Sequence, residues 1–184
     1  MATMWTLADQ WQVLLWLNGP AANQQISNGE QTMTNVSKGI VAGLAATVVL
    51  SMIMVAKGMM GLMPGLNVIA MLSSMAGVAP VVGWVMHFAI GVLVWGLAFV
   101  AIRNILPGAS VVAKGISFGI AAWIMMMLVV MPMAGAGIFG LNMGMMAPVM
   151  TLMLHAIYGA VLGFVFSRLG SDRSVAEIES SGSA

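Results

Sequence analysis

Two long stretches without a formal charge constrain this chain more than any other feature. Residues 58 to 102, between Lys57 and Arg103, contain no Asp, Glu, Lys or Arg, and neither do residues 115 to 167, between Lys114 and Arg168. Each run exceeds the roughly 20 residues of one membrane span and has room for two helices and a connection. Hydrophobic residues make up 61% of the chain and charged residues 6%. A soluble globule of this size leaves too much surface in water to carry that composition, so the solvent is largely lipid.

Four spans follow: Gly39 to Ala56, Val81 to Ile102, Gly115 to about Met133, and Pro148 to Ser167. Pro64, Gly65 and Pro80 break the first connection, Pro107 and Gly108 the second, and Gly135, Gly137, Gly140 and Pro148 the third. The fold class is thus an all-α membrane protein. With four spans, Lys38, Arg103, Lys114, Arg168 and Arg173 share one side and Lys57 lies alone on the other. This bias places both termini in the cytoplasm and the first and third connections outside.

Residues 1–37 read differently. Trp5, Trp11 and Trp16 cluster with leucines in a stretch too short to span, as in an interfacial helix. It lacks a basic n-region followed by a small-residue cleavage site, so a signal peptide is not expected. A polar linker follows, and both Met1 and Met33 stay open as the native start. Residues 38–169 form the membrane domain, and the polar stretch 170–184 is expected to be a disordered cytoplasmic tail.

The membrane domain contains a duplication. Lys38-Gly39-Ile40-Val41-Ala42-Gly43-Leu44-Ala45-Ala46 matches Lys114-Gly115-Ile116-Ser117-Phe118-Gly119-Ile120-Ala121-Ala122 at six of nine positions. Gly65-Leu66-Asn67 recurs as Gly140-Leu141-Asn142. Ala79-Pro80-Val81 with His87 and Gly91 recurs, at the same spacing, as Ala147-Pro148-Val149 with His155 and Gly159. Repeat one is residues 38–103 and repeat two 114–169. Two spans per copy make both copies enter the membrane the same way, which implies a pseudo-twofold axis along the membrane normal and a four-helix bundle. Gly39/Gly43 and Gly115/Gly119 form small-residue stripes that permit close backbone approach, and spans one and three are expected to cross there. Over about residues 38–169 the chain resembles an uncharacterised group of small four-span bacterial inner-membrane proteins. The resemblance rests on the Lys-Gly-Ile-x-x-Gly start, the Met- and Gly-rich outer connection and the histidines of spans two and four. It implies a bacterial inner membrane and no particular activity.

Candidate chemistry is sparse. No Asp or Glu lies inside a span, which weakens proton relays, ion-coupled carriers and catalytic triads. The absence of cysteine excludes thiol chemistry, and a net charge of +1 gives no sign of nucleic acid. His87 and His155 sit at equivalent depths, and an ionisable group there usually faces the bundle interior. They are candidate ligands of haem b or a metal, with Gly91 and Gly159 leaving room for a flat ring. The plainer reading is that each histidine bonds a hydroxyl or carbonyl and each glycine serves helix packing. The 21 methionines suit Cu(I) through their thioethers, but their spread over spans and loops alike reads more as ordinary apolar packing than as a ligand set. Lys57 is a candidate for snorkelling or for holding an anion. Asn67 and Asn142 are candidate caps and pocket residues, and Val68 to Met75 reads as a re-entrant or interfacial half-helix.

Three functional classes stay open at this level. One is a non-enzymatic binding or accessory protein with an outward-facing pocket between the repeats for a lipid, quinone, haem or metal. The others are a small-solute channel or carrier acting as an oligomer, and a haem-bearing electron-transfer subunit or copper-handling protein. The expected partners are the bilayer, further copies of the chain or a larger membrane complex. A reporter fused after Ala184 or inserted near Gly108 should read cytoplasmic, and one near Gly65 periplasmic. A periplasmic reading at Ala184 contradicts the orientation.

Overall fold

The computed structural model describes the backbone of residues 20–181 and the side chains of residues 35–169. Residues 1–37 form one unit and 38–184 another, and the bundle belongs to the second. The tryptophan cluster expected at the interface lies outside the described residues. The elements are α1 (Pro20–Met59), α2 (Val68–Ala76), α3 (Pro80–Ile102), α4 (Val111–Met133), a 3-10 turn (Ile138–Met143) and α5 (Ala147–Ser181). Backbone helix therefore continues through the polar stretch after Gly170 that the sequence marks as a tail. No strand occurs among the described residues.

Four helical stretches are long and apolar enough to span: Asn35–Met59, Pro80–Ile102, Val111–Met133 and Ala147–Leu169. At 23 to 25 residues each rises roughly 35 Å, enough to cross a hydrocarbon core of about 30 Å with some tilt. Local chemistry sets their ends. Ser110 starts α4 by accepting from the Ala113 amide at 3.1 Å, and Pro80 occupies the first turn of α3, where its missing N–H costs nothing.

The half-helix expected at Val68 to Met75 is α2. Asn67 caps it, its Oδ1 accepting from the Ala70 amide at 3.0 Å. Gly77 ends it at φ 66°, a left-handed conformation that favours glycine, and the Val78 amide closes back on the Ser73 carbonyl at 2.9 Å. Its nine residues are about 14 Å long, too short to cross. It docks on α3 at Gly83, whose missing Cβ makes room for the side chains of Ser73 and Ile69.

The glycine stripes do not bring spans one and three together. Each closes its own hairpin. Gly39 and Gly43 of α1 lie against Gly91, Val92 and Gly96 of α3, and a Cβ on Gly96 would stand 2.6 Å from the Gly39 carbonyl oxygen. Gly115 and Gly119 of α4 lie against His155, Gly159 and Gly163 of α5. The reason is sequence proximity. The next helix in each copy carries its own pair of glycines, and two facing grooves approach more closely than a groove and a ridge.

The two partner pairs are spaced differently, five residues apart at Gly91/Gly96 and four apart at Gly159/Gly163. The backbone absorbs the extra residue. Ile90–Trp95 is a π turn inside α3, whose wider i to i+5 bonding fits one more residue into the turn and keeps both glycines on the face toward α1. The Tyr158 hydroxyl of α5 donates to the Gly91 carbonyl in this turn, 2.5 Å away, and so ties the second hairpin to the first. A second π turn, Met126–Val130, lies in α4.

Two apolar clusters fill the interior. Toward the Arg103 end, Phe99 stacks edge-on with Phe118 and Phe166, each at 5.5 Å between centroids, beside Ala42, Ala46 and Leu162. Toward the Lys57 end, Met127 and Met131 are 0% exposed, with Met71, Trp123, Met126, Phe139 and Met143 packed around them and Ala136.

Replacing Gly159 by Ala would drive a Cβ into the Gly115 carbonyl, whereas Gly58 has nothing within 4 Å of such an atom. Gly159→Ala should cost about 1–3 kcal/mol as an overpacked contact, and Gly58→Ala should be silent or slightly stabilising. Unfolding in mixed micelles checks both, and equal effects would contradict the interface.

Candidate functional site

Each histidine bonds a group of the protein. His87 of α3 is 8% exposed, and its Nε2 lies 3.1 Å from Ser51 Oγ of α1. Ser51 gives its one hydroxyl proton to the Thr47 carbonyl at 2.7 Å. Its oxygen must therefore accept from His87, which fixes that ring as the Nε2–H tautomer. His155 of α5 has its Nδ1 2.7 Å from the Thr151 carbonyl of its own helix. A carbonyl only accepts, so His155 is the Nδ1–H tautomer. Each ring thus satisfies one nitrogen inside the protein, as lipid demands of polar groups.

The glycines one turn away leave no room for a flat ring. The Cβ position of Gly91 is filled by the side chain of Thr47, and that of Gly159 by the backbone of Gly115. Both glycines serve helix contact. Trp84 and Phe88 flank the His87 ring edge-on, at 5.9 and 5.7 Å. Neither histidine lines either of the two cavities at the Lys57 end.

Lys57 works on its own connection. Its Nζ donates to the carbonyls of Leu62, Met63 and Leu66, at 3.1, 3.1 and 2.7 Å. Three donors on three carbonyls complete the capacity of an ammonium group. The bonds hold Met63, which has φ 47°, in a left-handed conformation that is costly without glycine. The second connection has its own such residue, Phe139 at φ 58°, held against Trp123 at 5.7 Å. Trp123 in turn donates to Thr151 Oγ1 and the Pro148 carbonyl, at 3.1 and 3.2 Å. Both connections are therefore shaped loops braced by a residue from a neighbouring helix.

An open cavity of about 550 Å³ lies between these braced loops. Gly65, Leu66, Asn67, Met71 and Ser74 come from the first connection, and Met131, Gly135, Asn142 and Met143 from the other side. Asn67 and Asn142, which occupy the matching Gly-Leu-Asn sequences, thus share one cavity. Asn142 does not cap a helix. Its Nδ2 donates to the Gly135 carbonyl at 3.1 Å and pins the glycine-rich loop. A second cavity of about 480 Å³, lined by Lys57, Asn67, Pro80 and Trp84, lies on the α1 side of α2. Among the described residues, no group of three or more His, Asp or Glu side chains is placed to hold a metal.

Ser51, Thr47, Thr151, Trp123 and Tyr158 were not singled out by sequence reasoning. A signal existed in the four-residue spacings Thr47/Ser51 and Thr151/His155, which put hydroxyl and imidazole groups on shared helix faces. Ser51→Ala should leave the His87 proton without an acceptor and destabilise the protein by about 1 kcal/mol. His87→Gln, which keeps a donor, should cost less. Thermal unfolding in detergent reads both, and a silent Ser51→Ala would show that His87 is satisfied elsewhere.

No curated protein and no solved structure matches this chain. A family pattern does, over residues 33–177, which takes in all four spans. The chain therefore belongs to the family of unknown function DUF6789.

Proposed function

We propose that this is a non-enzymatic binding or accessory protein of the bacterial inner membrane, with both termini cytoplasmic. Its outward-facing pocket holds a small amphipathic ligand between two repeats related by rotation about the membrane normal. One observation carries the reading: Asn67 and Asn142, at matched positions of the duplicated sequence, face one cavity between the two outer connections. Carboxamides and the Ser74 hydroxyl make one part of the wall polar, and Leu66, Met71, Met131 and Met143 make the rest apolar. Such walls suit a ligand with a polar head and an apolar body, a lipid or a quinone. The pocket contains no carboxylate, imidazole or thiol, so no acid, base or strong nucleophile is at hand for catalysis. The space at Gly91 and Gly159 does not suit haem.

A second reading is favoured by the three thioethers of Met71, Met131 and Met143 around the same cavity, which suit Cu(I). Native mass spectrometry of protein purified in mild detergent separates the two. A retained lipid- or quinone-sized adduct is expected, weakened about two- to tenfold by Asn142→Leu, as for one lost hydrogen bond, and blocked by Ala134→Phe. Retained copper that disappears in Met143→Leu would decide for the second reading. Adducts unchanged in all three variants would contradict the pocket.

A further inference from the structure

Arg103, at the end of α3, lies within the described bundle without a counter-charge. The chain has no Asp or Glu between Glu30 and Asp172, so no carboxylate is available among the described side chains. A guanidinium cannot discharge itself by losing a proton. Cations at a span's end ordinarily extend their heads toward water. Arg103 does not. It lies across the Phe166 ring of α5, 4.9 Å from the centroid, and its Nη1 is buried with no hydrogen-bond partner. Its surroundings are apolar, with Ile102 and Leu106 packed into the same cluster as Phe166. The side chain as a whole is half-buried, so part of the guanidinium remains reachable from the membrane boundary.

The remaining cations of the domain other than Lys57 are gathered by topology at this end. Lys38 precedes Gly39, which lies against Val100 and Gly96 of α3, and Lys114 precedes Gly115, which lies against Gly159 and Gly163 of α5. Arg168 is also here, over Phe164 at 5.0 Å. A delocalised cation in an apolar setting, at headgroup level, with further positive charge at the same end, is completed by an anion that brings its own apolar part. We propose that Arg103 anchors a site for the phosphate of an anionic phospholipid, whose acyl chains lie along the bundle beside Phe166. A phosphate oxygen pair matches the guanidinium fork, and its charge offsets the covered Nη1 through the shared π system. A free phosphate ion would lose its hydration against Phe166 and Leu106 with nothing gained from burying an apolar tail. The positive-inside bias explains why cations collect at this end, but not why one of them turns inward onto a ring.

The test is the melting temperature of the full chain in mild detergent, titrated with dioleoylphosphatidylglycerol, dioleoylphosphatidylcholine or inorganic phosphate. Phosphatidylglycerol should raise it, and the other two should not. Arg103→Leu should weaken the apparent affinity for phosphatidylglycerol about fivefold or more, the effect of one well-placed cation at a lipid surface. Arg103→Lys keeps the charge, loses the fork and should fall between, and it decides the matter if Arg103→Leu does not fold. Arg168→Leu, which removes only one of the surrounding charges, should lose less than Arg103→Leu. A wild-type response in both Arg103 variants overturns the proposal. So does an equal response to phosphatidylcholine or inorganic phosphate, or a loss in Arg168→Leu as large as in Arg103→Leu.

Discussion

Close backbone approach at glycine is the interaction on which this bundle depends. Inside a bilayer, burying apolar side chains against one another gains little, because lipid tails are equally apolar. Helices associate where they fit closely, and this chain fits at Gly39/Gly43 on Gly91/Gly96 and at Gly115/Gly119 on Gly159/Gly163. Both contacts lie within a hairpin, so each copy has its own tight seam. The copies meet through larger groups: the Phe99, Phe118 and Phe166 stack, and the Tyr158 bond to Gly91. Tight seams within hairpins and larger groups between them leave a cavity between the two connections at the Lys57 end.

The buried polar groups follow the same constraint. Lipid offers no hydrogen-bond partners, so Thr47, Ser51, His87, Thr151 and His155 find theirs in the protein. The opposite tautomers of the two histidines show that equivalent sequence positions have different tasks. His87 joins α3 to α1, while His155 turns back on its own helix, where its carbonyl lies against Gly119. Lys57 likewise works as a brace, holding the strained Met63 in a loop that forms one wall of the cavity.

Much of this was legible in the sequence, for definite reasons. The spans follow from uncharged runs of the right length, and α2 from a short apolar segment between Asn67 and Gly77. The cap at Asn67 follows because its side chain meets the third amide of a helix that really begins there. Asn142 carries the same signal yet pins Gly135, because the second copy lacks the seven residues that let a helix form after it. The glycine stripes were visible, but not their partners, since a stripe marks a groove without naming what enters it. The π turn at Ile90–Trp95 is detectable only by comparing the Gly91/Gly96 and Gly159/Gly163 spacings. The pairing of Ser51 with His87, 36 residues apart, depends on helix rotation, which span length does not determine.

We propose that the two connections at the Lys57 end, one from each hairpin, line one shared pocket reached from a single side of the membrane. The chain contains no cysteine, so introduced thiols are unambiguous probes. Gly65 and Ala134 line the cavity from its two sides, and neither has a left-handed backbone. In a Gly65→Cys/Ala134→Cys variant, both thiols should react with a membrane-impermeant maleimide added from the same side. A short bis-maleimide should then link them within one chain. Labelling from opposite sides, or linkage found only between separate chains, would contradict the account.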